Sequence, residues 1–427
     1  MLELAERIRK GNQDMQNKIE KIIIPFIIGD GIGNDIWKAT KPILDQAMQT
    51  AYDGQRAIEW KEVLAGQKAY RKTGNYLPQE SIDTLKQYKV AIKGPLTTPV
   101  GGGYTSLNVA LRKELDLYSC IRPVQWFPGL PSPLKNPADV NVVVFRENTE
   151  DLYAGIEFPS DSEGNQQLLD FLKKRHPEEY ARLRYTEQVG LDIKPISRNA
   201  TQRIMKAALQ WTIAHQLHKV TIVHKGNIMK YTEGAFRNWA YDVAEQKFGK
   251  LCFSKRTWQT LMKEQGKGKA NEMKEQALAG GSIYVDDLIA DNAFAKAIAN
   301  PADFEVIVTA NLNGDYLSDA FAALVGGIGI SAGANINQEK GWGLFEANHG
   351  SADDIANQDI ANPSSLILSA AMMFDFMGWE KAARLIRHAL EQTIQAGFMT
   401  ADLHAQSTGS NLVSTSDFSK KIIEFIQ

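Results

Sequence analysis

The sequence has little cysteine and no long apolar run. Its two cysteines, Cys120 and Cys252, lie far apart, and with the seven histidines they form no spacing typical of a disulfide framework or a structural zinc site. No apolar run is long enough to span a membrane. The first twenty residues mix acidic and basic side chains without the apolar core of a secretory signal. These absences predict a protein of the reduced cytoplasm that does not enter a membrane.

The chain also lacks a strong charge of either sign. Its net charge is −2 over 427 residues, which favours neither a nucleic-acid partner nor an anionic membrane surface. Apolar residues make up 44% and charged residues 23%, as in ordinary soluble globular proteins. The length is sufficient for two or three domains with sizeable cores. No repeat or low-complexity tract is present.

Alternating apolar segments predict an α/β architecture. Predicted strands lie at 21–28, 90–96, 140–148, 219–225 and 304–312, and predicted helices at 34–50, 106–118, 201–218, 232–248, 286–299, 315–325 and 363–378. Strands that alternate with helices in this way are typical of α/β folds. Two stretches differ. We expect a small β-rich excursion in the polar stretch 157–200 and an exposed insertion in the Lys/Gln/Gly-rich stretch 255–282.

A glycine turn follows the first predicted strand. Gly29, Gly31 and Gly33 have the spacing G-x-G-x-G, whereas the dinucleotide fingerprint of a Rossmann fold is G-x-G-x-x-G. The acidic residue expected about twenty positions further on is not evident. The sequence therefore favours a tight strand-to-helix turn over a Rossmann cofactor site.

Cationic side chains follow several predicted elements. Arg112, Arg122, Arg146 and Lys225 lie at the ends of strands and helices, beside the Gly/Pro loop TTPVGGGYTS. Arginine is suited to bidentate capture of carboxylates, and a helix capped by Ser106 adds free N–H groups and partial positive charge. Each cation alone could be an ordinary surface charge. Together they favour a polyanionic substrate.

Acidic residues follow the strand FEVIVTANL. Asp315 and Asp319 are four positions apart and share one face of the helix that begins there. Such a pair can compensate a helix dipole, or it can bind a hard divalent cation through oxygen atoms. Asp291 is a candidate third carboxylate, in competition with its neighbours Asp286 and Asp287. A lone tyrosine, Tyr153, is by itself more typical of packing than of proton transfer.

Eight segments together resemble the isocitrate dehydrogenase family of β-decarboxylating dehydrogenases, most closely the bacterial homodimeric type. They are IIPFIIGDGIG, KGPLTTPVGGGYTSLNVALRKELDLYSCIRPV, FRENTEDLYAGIE, TIVHKGNIMKYTEGAF, NLNGDYLSDA, VGGIGI, LFEANHG and NPSSLILSAAMM. The resemblance implies a non-Rossmann α/β fold with a large domain (1–117 and 326–427), a small domain (118–150 and 198–325) and a clasp (151–197) that interlocks two subunits. It implies oxidative decarboxylation of isocitrate to 2-oxoglutarate in the tricarboxylic acid cycle.

The resemblance also implies roles for individual residues. Ser106, Asn108, Arg112, Arg122 and Arg146 are similar to an isocitrate-binding set. Tyr153 and Lys225 are similar to a catalytic acid–base pair, with Lys225 contributed by the partner subunit. Asp315 and Asp319 resemble ligands of Mg²⁺ or Mn²⁺, joined by Asp291 of the other subunit. The expected cofactor contacts are Lys93, Thr97, His349, Gly350, Asp354, Ile355 and Asn362.

The loop ANHGSADDIAN leads to a prediction about the cofactor. NADP-using bacterial members typically have Lys-Tyr where this chain has Asp354-Ile355, and Ala401, Ala405 and Asn300 likewise replace expected phenol or cationic side chains. A carboxylate accepts hydrogen bonds from a ribose 2′-hydroxyl and repels a 2′-phosphate. The sequence therefore predicts NAD. The alternative is that the loop has diverged and other cations bind NADP.

Two other activities would require different residues in the same fold. A sibling isopropylmalate or homoisocitrate dehydrogenase would share the fold, but apolar residues in place of Ser106 and Asn108 would favour isopropylmalate. A catalytically silent citrate or nucleotide sensor would lack Tyr153, Lys225 or Asp315, and all three are present. Ser106 also fits the family's phosphorylated serine, which implies a regulatory kinase and phosphatase as partners.

Overall fold

The structure is a computed structural model that describes residues 20–97 and 106–427. The charged N-terminal segment and most of the Gly/Pro loop, residues 98–105, lie outside the described residues. The chain forms two compact units. Unit 1 comprises residues 1–142 and 318–427, and unit 2 comprises residues 143–317. The large domain, small domain and clasp that the resemblance implies stay predictions.

Unit 1 is built on a mixed sheet. Its strands, in spatial order, are Arg56–Glu62, Glu20–Ile27, Val90–Lys93, Trp342–Ala347, Ala332–Asn337 and Ser119–Gln125. The first four strands are parallel, and Ala332–Asn337 pairs antiparallel with both of its neighbours. A second, two-stranded sheet pairs Phe398–Met399 with Asn411–Leu412. The parallel strands confirm the predicted α/β class.

The helices of unit 1 enclose one apolar helix. Its α-helices are Gly33–Ala51, Gly66–Thr73, Gln79–Tyr88, Leu107–Glu114, Ser364–Phe376, Glu380–Gln395, Ala401–His404 and Thr415–Glu424, and its 3₁₀ turns are Pro137–Asp139, Ile328–Ile330 and Asp353–Ile355. Every residue from Ser364 to Phe374 is buried, because most side chains of this segment are apolar and the hydroxyls of Ser365 and Ser369 donate to backbone carbonyl groups. None of the helices in the described part of the chain combines the length and apolar composition needed to cross a bilayer.

Unit 2 contains a wholly parallel sheet. Its strands, in spatial order, are Asn141–Glu147, Val306–Thr309, Lys219–His224, Ile283–Ile289 and Cys252–Ser254. The strand Ile283–Ile289 lies where the sequence predicted the start of a helix. Asp286 and Asp287 interrupt its apolar pattern, and the carboxylates are accommodated because they have partners, such as the Thr221 hydroxyl for Asp286. The helix begins only at Ala290.

The helices of unit 2 follow these strands. They are Glu163–Arg175, Pro177–Tyr180, Arg198–Ala214, Glu233–Asp242, Lys255–Ala279, Ala290–Ala299 and Asn311–Ala323, with a π-helical turn at Val243–Lys247 and 3₁₀ turns at Asp151–Ala154 and Pro301–Asp303. The last long helix crosses the boundary between the units, at Leu317.

Two sequence predictions about unit 2 need revision. The stretch 157–200 is not β-rich, because its β-structure is only the short antiparallel pair Glu157–Phe158 and Leu191–Asp192, and its main element is the helix Glu163–Arg175. The stretch 255–282 is exposed as predicted, but most of it is the helix Lys255–Ala279, which is interrupted at Gly266. Ala270 is the only buried residue of that helix, so its sequence has little apolar periodicity to reveal it.

The glycine turn after the first strand brings three loops of unit 1 together. Asp30 is buried, and its carboxylate accepts hydrogen bonds from the backbone N–H groups of Gln67 and Thr97. The N–H of Ile32 donates to the carbonyl of Ser351. A Cβ at Gly31 would lie 2.0 Å from that carbonyl oxygen. The glycines therefore permit close backbone contact, as the prediction of a tight turn requires.

Substitution of Gly31 tests this close contact. Gly31 and Gly54 both have positive φ angles, of +54° and +71°, but a Cβ at Gly54 would meet no atom within 4 Å. We expect Gly54→Ala to cost about 1 kcal/mol from backbone strain alone, and Gly31→Ala to cost about 1–3 kcal/mol more because Ser351 must move. Urea unfolding of both variants measures the difference. Equal losses would contradict the contact.

Candidate active site

Four candidate residues of unit 2 lie at one edge of its sheet. Arg146 is the second-to-last residue of the strand Asn141–Glu147, and Lys225 directly follows the strand Lys219–His224. Asp291 lies in the first turn of the helix that follows the strand Ile283–Ile289, and Asp315 is the fifth residue of the helix Asn311–Ala323, which follows the strand Val306–Thr309. Thr309 is in register with Arg146 and Val223, so these strands end at the same level. The carboxyl edge of a parallel sheet is the usual place for a ligand site.

Arg146, Asp315 and Tyr153 form one contact group. Arg146 is fully buried and forms an ion pair with Asp315, and its Nε donates to Asn311 Oδ1 at 2.8 Å. The Tyr153 hydroxyl donates to Asp315 Oδ2 at 2.6 Å. A Cβ at Gly314 would lie 2.6 Å from the Arg146 side chain. The absence of a side chain at Gly314 therefore lets its helix approach Arg146 closely. As a result the predicted metal ligand Asp315 contacts both the predicted substrate cation Arg146 and the predicted acid Tyr153.

The surroundings of Tyr153 favour its protonated form. Burial raises the pKa of Tyr153, the hydrogen bond to Asp315 raises it further, and the nearby charge of Arg146 opposes both effects. The resemblance implies that Lys225 of the partner subunit is the acid–base partner of Tyr153. Within one chain Lys225 instead forms an ion pair with Asp291, and its predicted place beside Tyr153 depends on a partner subunit. The phenol of the single chain is therefore a proton donor at neutral pH.

In unit 1, one buried carboxylate holds two of the predicted site cations. Glu346 Oε2 lies 2.7 Å from Lys93 Nζ, and Glu346 Oε1 lies 2.7 Å from Arg112 Nη2. Burial alone would raise the pKa of Glu346, but the two cations outweigh burial and hold it well below its usual range. Burial also lowers the pKa of Lys93, and Glu346 opposes that shift. Sequence reasoning missed Glu346, although two isolated cations signalled the need for such an acid.

The other substrate candidates of unit 1 lie around the helix Leu107–Glu114 and strand Ser119–Gln125. Arg122 is buried, and its Nη1 donates to Ser318 Oγ at 2.7 Å and Asp319 Oδ1 at 3.1 Å. Ser106 occupies the N-cap position as predicted, but its side chain makes no capping hydrogen bond. Asn108 Oδ1 is buried and has no hydrogen-bond partner among the described residues. Both side chains therefore retain hydrogen-bonding capacity for a ligand.

The three predicted metal ligands each pair with a cation of their own unit. Asp291 pairs with Lys225, Asp315 with Arg146, and Asp319 with Arg122. In the described parts of the chain, no three His, Cys, Asp or Glu side chains are grouped so that they could hold an ion. Carboxylate oxygens are nevertheless the donors that Mg²⁺ and Mn²⁺ prefer. A metal site formed by Asp315 and Asp319 with Asp291 of a second chain stays a prediction.

The predicted adenosine site contains a buried imidazole edge. His349 Nδ1 lies 2.9 Å from the carbonyl oxygen of Gly350, which can only accept, so Nδ1 bears the hydrogen. Burial lowers the pKa of His349, so the ring is neutral at neutral pH and Nε2 is an acceptor. That nitrogen is buried without a hydrogen-bond partner among the described residues. It is suited to an amino group such as the one on adenine.

Asp402 is a member of this site that sequence reasoning missed. Its carboxylate accepts hydrogen bonds from Asn362 Nδ2 at 3.0 Å and from Thr400 Oγ1 at 2.6 Å. The sequence comparison considered only its neighbours Ala401 and Ala405. Thr97, another predicted contact, donates to Ser351 Oγ at 2.8 Å. Gly350 and Asp354 are exposed, and Ile355 is half-buried.

The chain is similar to isocitrate dehydrogenases over almost its entire length. It is 49% identical over 423 residues to the "Isocitrate dehydrogenase [NADP]" of Staphylococcus epidermidis, which covers 99% of this chain and 100% of that protein. The protein of the same name from Streptococcus salivarius is 47% identical, with 99% and 100% coverage. The predicted isocitrate dehydrogenase function is confirmed.

The predicted cofactor is wrong. The relatives from Staphylococcus epidermidis, Staphylococcus aureus and Streptococcus salivarius, at 47–49% identity, are all named as NADP-dependent. The prediction of NAD relied on positions where known NADP-binding side chains are replaced, chiefly Asp354 and Ile355. A 2′-phosphate needs nearby cations, but these can come from other positions, which is the alternative that the sequence left open.

The fold agrees with the sequence comparison. A crystal structure of isocitrate dehydrogenase from Methylococcus capsulatus superposes with a TM-score of 0.75 at 34% identity, covering 95% of this chain and 99% of that one. The sequence pattern described as isocitrate/isopropylmalate dehydrogenase matches residues 23–422. The chain therefore belongs to the isocitrate/isopropylmalate dehydrogenase family.

Proposed function

We propose that the protein catalyses the oxidative decarboxylation of isocitrate to 2-oxoglutarate and CO₂, with NADP as the hydride acceptor and a divalent metal ion. The observation that supports this most directly is the contact group of Arg146, Asp315 and Tyr153. It combines a carboxylate-binding cation, an oxygen ligand for a hard ion and a proton donor. The names of the relatives at 47–49% identity support both isocitrate and NADP.

Isocitrate bears three carboxylates, so its site needs several cations that are already desolvated. Arg112, Arg122 and Arg146 are each less than a tenth exposed. We assign them to the substrate carboxylates, because a guanidinium binds a carboxylate through two parallel hydrogen bonds. Ser106 and Asn108, whose Oδ1 has no hydrogen-bond partner in the described part of the chain, are assigned to the remaining polar atoms of the substrate. A polar helix start of this kind favours isocitrate over isopropylmalate, whose side chain is apolar.

We assign the metal ion to Asp315 and Asp319, with Asp291 contributed by a second copy of the chain. A Mg²⁺ or Mn²⁺ ion held there would acidify the substrate hydroxyl and stabilise the negative charge that develops in decarboxylation. Arg146 pairs with Asp315, and Arg122 pairs with Asp319, so each of these two assigned ligands already contacts an arginine assigned to the substrate. Tyr153 then supplies the proton that replaces CO₂, and Lys225 of the second copy is its acid–base partner.

We assign the adenosine part of NADP to His349, Gly350 and Asn362, and hydride from the substrate C2 would pass to the nicotinamide ring at the other end of the cofactor. The neutral His349 accepts a hydrogen bond at Nε2, while Lys93 and Thr97 lie on the turn assigned to the nicotinamide side. Asp354 and Ile355 supply no cation, so we assign the 2′-phosphate to other side chains. The homodimer with shared sites, the cytoplasmic location, the tricarboxylic acid cycle and a kinase that modifies Ser106 all stay predictions.

A spectrophotometric assay of the purified protein tests the proposal. With Mg²⁺ or Mn²⁺ and isocitrate, we expect NADPH formation at 340 nm with release of one CO₂ per turnover, and loss of activity with a chelator. The value of kcat/KM should be higher for NADP than for NAD. Turnover of isopropylmalate in preference to isocitrate, or no turnover of either, would refute the assigned substrate.

Substitution of Ser106 tests its place in the substrate site. A carboxylate there repels a substrate carboxylate, so Ser106→Asp should raise the KM for isocitrate at least about tenfold, which corresponds to roughly 1.4 kcal/mol. Ser106→Ala is the matched control and should change KM much less, since it adds no charge. A near-normal KM for Ser106→Asp would place this residue outside the substrate site.

Substitution of Glu346 tests the buried ion pairs. Glu346→Gln leaves Lys93 and Arg112 buried beside a neutral amide, and we expect a loss of about 3–5 kcal/mol in the free energy of unfolding at pH 7. The lowered folded-state pKa means that this stabilisation is present above about pH 4.3 and is lost as the pH falls through the folded-state pKa.

A matched control for Glu346→Gln is Glu424→Gln, which removes an exposed pair with Lys421. We expect it to change the free energy of unfolding by less than about 1 kcal/mol. Urea denaturation of both variants at pH 7 is the measurement. Similar, small effects would show that Glu346 does not balance the two cations.

A further inference from the structure

A buried ionic cluster lies next to the candidate residues of unit 2. Lys194 Nζ is 2.6 Å from Asp151 Oδ1 and 2.7 Å from Glu233 Oε1. Both acids are fully buried, and the lysine side chain is only 14% exposed. The substrate, metal and cofactor assignments do not use any of these three residues.

Asp151 connects the tyrosine turn to the helix of the aspartate. It begins the turn Asp151–Ala154, which includes Tyr153, and has a left-handed backbone with φ of +68°. Its Oδ1 accepts from the N–H of Leu152 at 2.8 Å, and its Oδ2 accepts from the N–H of Leu312 at 2.9 Å. Leu312 lies in the first turn of the helix that contains Asp315. One carboxylate thus fixes the spacing between Tyr153 and Asp315.

Glu233 connects the lysine turn to the same helix. Its Oε2 accepts from the backbone N–H of Lys225 at 3.0 Å and from Asn313 Nδ2 at 2.9 Å. The two acids therefore bind the backbone or side chains of three segments, which contain Tyr153, Lys225 and Asp315. Lys194 bridges the two acids.

The charge of Lys194 is what allows the two acids to lie together. Without it, two fully buried carboxylates would face each other with no cation between them, an arrangement that a protein interior does not tolerate. Burial by itself would lower the pKa of Lys194, but the hydrogen bonds to Asp151 and Glu233 outweigh burial and raise it. The lysine is therefore charged at neutral pH.

We propose that Lys194 is a positioning residue, which acts through Asp151 and Glu233 to hold Tyr153 and Asp315 of one catalytic site and Lys225, which serves the site of the second copy. This inference rests on the proposed function, because it assigns those three residues to proton transfer and metal binding. Lys194 itself does not touch the substrate. Lys194 lies just before the helix Arg198–Ala214 and acts on the site only through the two acids that it contacts.

The first test compares Lys194→Met with Lys269→Met. The latter removes an exposed pair with Glu272 on the helix Lys255–Ala279 and is the matched control. We expect Lys194→Met to lower kcat at saturating isocitrate, NADP and Mg²⁺ by about 10–100-fold, because small displacements of catalytic groups cost this much. The KM for isocitrate should rise less than kcat falls, since the contacts of Arg112 and Arg122 are untouched. Lys269→Met should have the kinetics of the unaltered chain.

A double variant separates positioning from stability. Lys194→Met with Glu233→Gln restores the net charge of the cluster, so its Tm should be higher than that of Lys194→Met alone. Its kcat should remain low, because the bridge to Asp151 is still absent. Lys194→Arg, which keeps the charge, should recover kcat to within about tenfold, as charge-assisted hydrogen bonds to both acids remain available.

The outcomes distinguish the inference from the proposed function. A folded Lys194→Met protein with unchanged kcat, or a double variant whose kcat recovers together with its Tm, would overturn the positioning role and leave the proposed function intact. An unaltered chain that fails to reduce NADP with isocitrate would overturn both.

Discussion

A charged side chain can be buried only if a partner of opposite charge or a set of hydrogen bonds replaces its water. The proposed substrate is a tri-anion, so its site must keep several cations out of water before the substrate arrives. The structure meets this requirement with carboxylates. Glu346 holds Lys93 and Arg112, Asp319 holds Arg122, and Asp315 holds Arg146. The stability of the folded chain and the chemistry of the site depend on the same ion pairs.

The same constraint explains why some acids have two roles. Asp315 and Asp319 neutralise buried arginines in the single chain, and they are also the proposed ligands of the metal ion. Both roles need carboxylates next to buried arginines, and Asp315 and Asp319 lie four positions apart on the helix Asn311–Ala323. The Lys194 cluster is a further case of buried charges that are kept by ion pairs. Asp151 and Glu233 also accept hydrogen bonds from backbone N–H groups, so the cluster fixes the positions of the segments that contain the catalytic side chains.

The sequence predicted the α/β class and many of its elements because strands such as Lys219–His224 and helices such as Gly33–Ala51 have strong local patterns. It could not predict the strand Ile283–Ile289, whose aspartates find their partners on other elements. Glu346, Asp402 and Lys194 were missed for a related reason. Their importance lies in contacts with residues remote in sequence, which no local sequence pattern specifies. The cofactor prediction was wrong because it treated a few replaced side chains as a complete phosphate site.

The central claim is that buried arginines, balanced by carboxylates, bind a tricarboxylate. The most direct test is calorimetric titration of isocitrate into the protein in the presence of Mg²⁺, with the unaltered chain compared with Arg122→Met and with Arg384→Met, which lies on an exposed helix surface. The account predicts that Arg122→Met weakens isocitrate binding by at least about thirtyfold, the equivalent of roughly 2 kcal/mol for a buried charged contact. It predicts no change for Arg384→Met. Equal isocitrate affinities for the unaltered chain and a folded Arg122→Met protein would contradict it.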